Sequence, residues 1–307
     1  MTVEFEADLL VRDVSPVADG VVALSLAGAA LPAWTPGAHI DLLLDGGLVR
    51  QYSLCGRLGD ADRWRIAVLA TPDSRGGSRK VHQLTPGSTV RVRGPRNHFP
   101  VVASRRYLFL AGGIGITPLL PMIHEVSAAG ADWELHYGGR SLASMAFTDE
   151  LPADRVRLVP EDTHGRLDLD TILGTPRPDT LVYACGPEGM LAAVERRCAD
   201  WPPGRLHLER FTANADPSGE SFEVVLDRSG RTLTVARDAS IFETVRAAGV
   251  SVLGSCLEGI CGTCETEVLD GEVDHRDSVL DDDERASNEV MMICVSRCRG
   301  ARLTLAL

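Results

Sequence analysis

Four cysteines constrain this chain more than any other residues. Cys256 is followed by Cys261 after four intervening residues, by Cys264 after two more, and by Cys294 after a further 29. The C-x4-C-x2-C…C spacing is that of a [2Fe–2S] centre, in which two sulfide-bridged irons need four thiolates, three from one tight loop and the fourth from a distant strand. The loop is rich in small residues: Gly254, Ser255, Gly259, Gly262 and Thr263. Small residues let backbone amides approach the sulfurs and hydrogen-bond them, which tunes the reduction potential. The rival is zinc, which pairs cysteines as C-x2-4-C twice and here would take Cys294-x3-Cys298 as its second pair. Zinc leaves Cys256 or Cys298 surplus; the cluster leaves only Cys298, as a small buried hydrophobe.

The rest of the composition narrows the classes. At 307 residues the chain exceeds what one hydrophobic core usually supports, so two or three domains are expected. Its net charge of −12 argues against nucleic acid and against an anionic membrane surface as partners. Glu4, Glu6 and Asp8 occupy the N-terminus, where a signal peptide would start basic, and no apolar run reaches the roughly 18 residues of a membrane span. A cytoplasmic protein is the expectation. There, clustered cysteines mark metal or redox chemistry rather than disulfides. The eight histidines show no ligand spacing and read as structural or surface residues.

Three regions differ in pattern. Residues 1–102 carry short apolar stretches at 9–11, 21–26, 39–44, 64–69 and 89–92, separated by Pro36-Gly37, Asp45-Gly46-Gly47 and Pro86-Gly87. That spacing predicts a small antiparallel β-barrel. Residues 103–211 alternate buried-strand runs (107–111, 133–137, 156–159, 181–184) with helical stretches at 119–129 and 187–198, which predicts an α/β domain on a parallel sheet. Residues 212–221 are a polar linker. Residues 222–307 predict an α+β domain: a hairpin at 222–226 and 231–235, a helix at 241–248, the cysteine loop, and strands at 266–269, 291–295 and 302–307.

Within these regions, four segments carry candidate chemistry. Gly112-Gly113-Ile114-Gly115-Ile116-Thr117-Pro118 follows a predicted strand and opens a helix, where a phosphate-bearing ligand can approach the backbone. It is not the dinucleotide fingerprint, since Pro118 replaces the last glycine, and it reads equally as an ordinary tight turn. Cys185-Gly186-Pro187 sits after another strand on the same sheet edge, with a neutral thiol and bare backbone that suit a flat ring; the plainer reading is a buried cysteine in a turn. Arg50-Gln51-Tyr52-Ser53-Leu54 can hold a phosphate and flank a heterocycle, though such a pentapeptide is more often just a strand. Arg75-Gly76-Gly77-Ser78 is a second phosphate-like turn.

In this order, R-x-Y-S, G-G-x-G-x-T-P, C-G-P and a C-terminal plant-type ferredoxin module, the chain resembles the phthalate dioxygenase reductase family, which includes vanillate O-demethylase reductase subunits. The resemblance covers essentially the whole chain. It implies a flavin barrel, a nicotinamide domain and a β-grasp ferredoxin domain, using FMN, NADH and one [2Fe–2S] cluster to feed a separate Rieske-type oxygenase. It assigns Arg50, Tyr52, Ser53 and Leu54 to the flavin, and Gly76, Gly77 and Ser78 to its phosphate. Gly112, Gly113, Gly115, Thr117, Pro118, Cys185, Gly186 and Pro187 fall to the nicotinamide side, and Phe211 to an aromatic over the flavin. Cys256, Cys261, Cys264 and Cys294 are the cluster ligands.

Three choices stay open on the residues. FMN rather than FAD rests on the resemblance. Arg140, after a predicted strand, favours the 2′-phosphate of NADPH, whereas the resemblance argues NADH. A cytochrome P450 or another monooxygenase is the alternative acceptor. From Ser221 onward sixteen acidic residues face nine basic ones. Asp270, Glu272, Asp274, Asp277 and the run 281–284 read as a solvated loop or as a docking face for a basic partner.

Overall fold

The computed structural model describes residues 4–71, 76–211, 218–280 and 282–307. The chain divides into two compact units, Met1–Arg210 and Phe211–Leu307.

The first unit opens with six strands: β1 (Glu6–Ala18), β2 (Val21–Ala27), β3 (Ala38–Leu44), β4 (Leu48–Ser53), β5 (Arg63–Leu69) and β6 (Thr89–Asn97), with a short helix α1 (Gly77–Val81) between the last two. They form one antiparallel sheet in the order β4-β3-β6-β1-β2-β5. A bridge from Leu54, just past β4, to Ile66 on β5 joins its two ends, so the sheet closes into a barrel. Closure removes the exposed edges an open sheet would leave. Alternation puts Leu9, Val11, Leu24, Leu26, Ile40, Leu42, Trp64 and Ile66 inside, all at most 1% exposed.

The same unit continues with β7 (Arg106–Gly112), a 3-10 turn at Gly113–Gly115, α2 (Ile116–Ala128), β8 (Asp132–Gly139), β9 (Val156–Pro160), α3 (Glu161–His164), α4 (Leu169–Leu173), β10 (Thr180–Cys185), α5 (Glu188–Arg197) and β11 (Leu206–Glu209). The five strands are parallel, in the order β11-β10-β7-β8-β9. β7 and β10 are continuous apolar runs because helices cover both faces of such a sheet. The predicted helix at 119–129 starts three residues early. The glycine turn is itself coiled, the Thr117 hydroxyl donates to the Ile114 carbonyl at 2.9 Å, and the coil runs straight into α2.

Barrel and α/β layers share one core, in which Val21, Ala23, Cys55 and Ala67 pack with Phe109, Leu119, Met122 and Tyr183. Arg65 on β5 locks them further, donating to Glu150 at 2.7 and 2.9 Å and to the Cys55 carbonyl at 2.6 and 3.0 Å, with its guanidinium over the Phe147 ring.

The second unit holds β12 (Phe222–Leu226), β13 (Arg231–Val235), α6 (Ile241–Ala247), β14 (Glu265–Asp270), β15 (Val273–Asp274), α7 (Asp282–Ser287), β16 (Val290–Met292), β17 (Arg297–Cys298) and β18 (Arg302–Leu305). The main sheet runs β13-β12-β18-β14-β16, mixed because β12 and β18 are parallel. Phe242 and Val245 of α6 enter the core with Val224, Leu226 and Met291. Ser240 caps α6, its hydroxyl accepting the Glu243 amide at 3.1 Å while the Glu243 carboxylate accepts the Ser240 amide at 3.1 Å.

The strand expected at 291–295 ends at Met292, because the Met292 carbonyl accepts the amides of Val295 and Ser296 in a turn that carries Cys294. Of the expected linker, residues 212–217 lie outside the described residues. Residues 218–221 are tied to the second unit through Arg276 to the Ser218 carbonyl (2.6 Å), Gly219 to the Arg237 carbonyl (2.9 Å), and Arg297, 2% exposed, to the Glu220 carbonyl (3.0 Å).

Candidate functional site

On β4 the pleat puts Arg50 and Tyr52 on one face and Gln51 and Ser53 on the other. Gln51 donates to Asp41 at 2.6 Å. Asp41 is fully buried and also accepts from Arg93 at 2.7 Å and Arg96 at 2.5 Å, so a charged cross-strand knot fixes the register that presents Arg50 and Tyr52. Burial pushes the Tyr52 phenol up to about 12, so it stays neutral. Leu54, expected to touch the cofactor, has its side chain wholly in the barrel core, since the strand end must seal the closing bridge.

Arg50 reaches the second phosphate-like turn. A Cβ on Gly77 would lie 2.6 Å from the Arg50 side chain, so the guanidinium stem lies flat across that glycine. Gly76 precedes α1 with a left-handed φ of 95°, and the Ser78 hydroxyl accepts the Thr71 amide at 3.3 Å. Arg50, Gly76, Gly77 and Ser78 therefore form one cradle of backbone and guanidinium; Arg75 lies outside the described residues. On the other face of β4 from Arg50, His39 is the ladder partner of Ser53. His39 is 5% exposed, its Nε2 has no hydrogen-bond partner among the described residues, and burial holds its imidazole at about 3. A cradle of guanidinium and backbone amides fits an anion such as the phosphate of a flavin.

The nicotinamide-side segments meet at the carboxyl ends of β7 and β10. From β7 the chain proceeds outward to β8 and β9, then returns to the other side of β7 for β10 and β11. This is the topological switch point of the sheet, where ligands of doubly wound folds bind. Gly112, Gly113, Gly115, Thr117 and Pro118 line one side of it; Cys185, Gly186 and Pro187 line the other. The two turns touch backbone to backbone, since a Cβ on Gly115 would lie 2.2 Å from the Cys185 carbonyl oxygen.

Glu209, at the end of β11, is a member of this site that no sequence motif announces. Its carboxylate lies 3.9 Å from the Cys185 sulfur. Burial pushes the Glu209 carboxyl up to about 8 and pushes the Cys185 thiol well above its ordinary value, so both stand protonated at neutral pH. The folded chain thus holds a proton on Glu209 that the unfolded chain releases near 4.5, and stability falls as pH rises from about 4.5 through 8. A Glu209→Gln variant will gain on wild type in urea unfolding between pH 5 and pH 8.5; equal gains at both pH values would refute this. Phe211 is 37% exposed and is the first residue of the second unit.

In the second unit the four thiols fall into two pairs. Cys256 shares a hydrogen bond with Cys261, and Cys264 with Cys294. Cys256 and the Thr263 hydroxyl and amide hold the Cys261 thiol down at about 5, while its partner Cys256 is pushed up. Amides surround the sulfurs: those of Glu258 and Ile260 donate to Cys256, that of Cys256 to Cys261 at 3.4 Å, and that of Gly259 to Cys294. Among the described residues no three metal-ligating side chains converge on one point, as a zinc ion needs. Two facing pairs are the donor set of a binuclear iron centre, each iron taking two thiolates. Cys298 lies apart on β17, half-buried, its thiol donating to the Arg302 carbonyl. No helix among the described residues is long and apolar enough to cross a membrane.

A parallel sheet with a switch-point crevice, a barrel with a guanidinium–glycine cradle and two facing pairs of thiols together define a modular electron-transfer oxidoreductase. Residues 224–299 match the family described as 2Fe-2S iron-sulfur cluster binding domain. The chain is 44% identical over 313 residues to a putative toluene-4-sulfonate monooxygenase system reductase subunit of Comamonas testosteroni, covering 98% of each. It superposes on the solved structure of phthalate dioxygenase reductase, described as modular for electron transfer from pyridine nucleotides to [2Fe–2S], with a TM-score of 0.70 at 34% identity and 98% coverage of both chains. It also matches an intact type IV self-sufficient cytochrome P450 monooxygenase with a TM-score of 0.92 at 46% identity, over 98% of this chain but 41% of that one. The chain belongs to the phthalate dioxygenase reductase family and carries a [2Fe–2S] domain, and the zinc reading falls.

Proposed function

We propose that this chain takes a hydride from NADH onto an FMN and delivers the electrons singly, through the cluster held by Cys256, Cys261, Cys264 and Cys294, to a separate Rieske-type oxygenase. The observation that carries the proposal is the joint presence, in one compact unit, of the Arg50–Gly77 cradle and the switch-point crevice, with two thiol pairs in the other unit. Residues 1–102 are read as the flavin domain, 103–211 as the nicotinamide domain and 222–307 as the cluster domain. Bound flavin supplies the conversion between two-electron and one-electron transfer.

The chain's own residues do the rest. Arg50 and the amides of Gly76, Gly77 and Ser78 hold the phosphate. Tyr52 flanks the ring, and Ser53 and His39 offer polar atoms at its edge. Gly112 to Pro118 and Cys185 to Pro187 admit the nicotinamide, to which the protonated Cys185 and Glu209 present uncharged groups. Four thiolates and the loop amides hold the cluster.

One carboxylate supports NADH. Asp162 follows β9, and its amide donates to the Arg140 carbonyl at 3.1 Å, so an acidic residue accompanies the segment that Arg140 ends, while Glu161 is paired with Arg166 at 3.0 Å. Asp162 opposes the 2′-phosphate that Arg140 alone would attract. We expect kcat/KM for NADH to exceed that for NADPH by at least about tenfold; a preference for NADPH would overturn the assignment. Iron, acid-labile sulfide and flavin analysis with a visible spectrum tests the whole reading, which a colourless protein would end.

The oxygenase as acceptor rests on the phthalate dioxygenase reductase likeness. The P450 likeness favours a haem monooxygenase as the second reading. Reconstitution with each acceptor separates them. The acidic second unit points to a basic docking patch in either case, so transfer to the acceptor should fall by about tenfold between low and high salt. Turnover insensitive to ionic strength would count against electrostatic docking.

A further inference from the structure

We infer that Asp277 is a positioning residue that sets the potential of the cluster: a buried carboxylate held against the ligand loop, whose charge disfavours the added electron. The inference rests on the four-cysteine reading above. Asp277 sits in a stretch whose acidity suggests a solvated loop, yet it is 6% exposed and its side chain is fully covered. Its Oδ2 accepts the amides of Val279 at 3.1 Å and Leu280 at 2.9 Å, and its Oδ1 accepts the Ser296 hydroxyl at 3.2 Å. These donors are all neutral. The nearest ring nitrogen, His275 Nδ1, stands 3.8 Å away. Arg285 is directed to the Asp277 carbonyl, at 2.8 Å. Among the described residues the carboxylate oxygens thus take hydrogen bonds from neutral donors, and the contacting cation, Arg285, is engaged at the backbone carbonyl rather than at the carboxylate.

The turn this carboxylate organises grips the cluster loop. The Ser278 amide donates to the Gly259 carbonyl at 2.8 Å. A Cβ on Gly259 would lie 3.1 Å from the Asp277 Cα and 2.5 Å from a Val295 methyl, and the residue has a left-handed φ of 69°, so only glycine fits between the two segments. The Gly259 amide in turn donates to the Cys294 sulfur. From the carboxylate to a cluster ligand the path is one turn and one glycine. A fixed negative charge at that range, inside a low-dielectric core, opposes reduction of a centre that already carries negative charge. Ser296, two residues past Cys294, partly shields it.

A redox titration of the full-length protein, followed by the EPR signal of the reduced cluster, tests this. Asp277→Asn keeps the shape and an oxygen acceptor for the two amides but removes the charge. We expect the ratio of reduced to oxidised cluster at a fixed ambient potential to rise about tenfold, a 59 mV positive shift for one electron, with the same g-values. A midpoint unchanged or lowered would overturn the inference. Should Asp277→Asn purify without iron, Ser296→Ala decides: unshielding the charge should lower the same ratio about threefold, and a rise or no change overturns the inference. A wild-type protein lacking any [2Fe–2S] signal fails differently, sinking the ligand assignment itself.

Discussion

A Cys256→Ser variant will lose electron delivery to a one-electron protein acceptor by at least about a hundredfold, while oxidising NADH with a direct flavin acceptor within about twofold of wild type. On the proposed reading Cys256 pairs with Cys261 to serve one iron, so its loss would strip that iron of half its protein ligands. A serine hydroxyl is a harder and far less acidic donor than a thiol and does not replace the thiolate at neutral pH. The cradle and the crevice lie in Met1–Arg210, whereas Cys256 lies in the other compact unit, so hydride transfer keeps all its residues. The two assays, run with iron and sulfide analysis on the same preparation, read the two halves separately. Loss of both activities would mean that the units do not work independently as proposed.

Gly115→Val will abolish reduction of the flavin by NADH, by about a hundredfold or more, and will lower thermal stability. The reason is steric. The Cβ alone would lie 2.2 Å from the Cys185 carbonyl oxygen and 2.4 Å from its carbon, and neither atom is the movable end of a side chain. Backbone must shift, and the backbone in question joins β7 to β10 across the switch point. Overpacking of this kind costs about 1–3 kcal/mol or more, and a misplacement of about 1 Å at a reacting site costs about a hundredfold in rate. Flavin content should stay close to wild type, because Arg50, Gly76 and Gly77 belong to the barrel. Stopped-flow reduction of purified, flavin-loaded variant gives the rate. Undiminished hydride transfer would move the nicotinamide away from this crevice.

Where side-chain period and covalent spacing carry the information, the elements were legible beforehand. Strands at 21–26, 39–44, 107–111 and 181–184 and the helix at 241–248 stand within one or two residues of β2, β3, β7, β10 and α6. Each buries a face whose alternation or continuity is written in adjacent residues. Less legible were elements held by partners far along the chain. Among the described residues β11 pairs only with β10, and the two-residue strands β15 and β17 pair only with each other. No local pattern announces such pairings.

The same division runs through the site. The cysteine spacing and the order of the glycine motifs are short-range features, and they already specified a [2Fe–2S] centre behind a reductase. A cluster ligand set is mostly one loop, and the chemistry of a thiolate does not depend on what lies beyond its neighbours. Pairing of the four thiols two by two, contact of Gly115 with Cys185, the carboxyl of Glu209 against a buried sulfur, and burial of Asp277 within an acidic stretch came from packing. Most join residues distant in the chain, and burial, which sets the proton on Glu209 and covers the carboxylate of Asp277, belongs to the folded neighbourhood rather than to any residue.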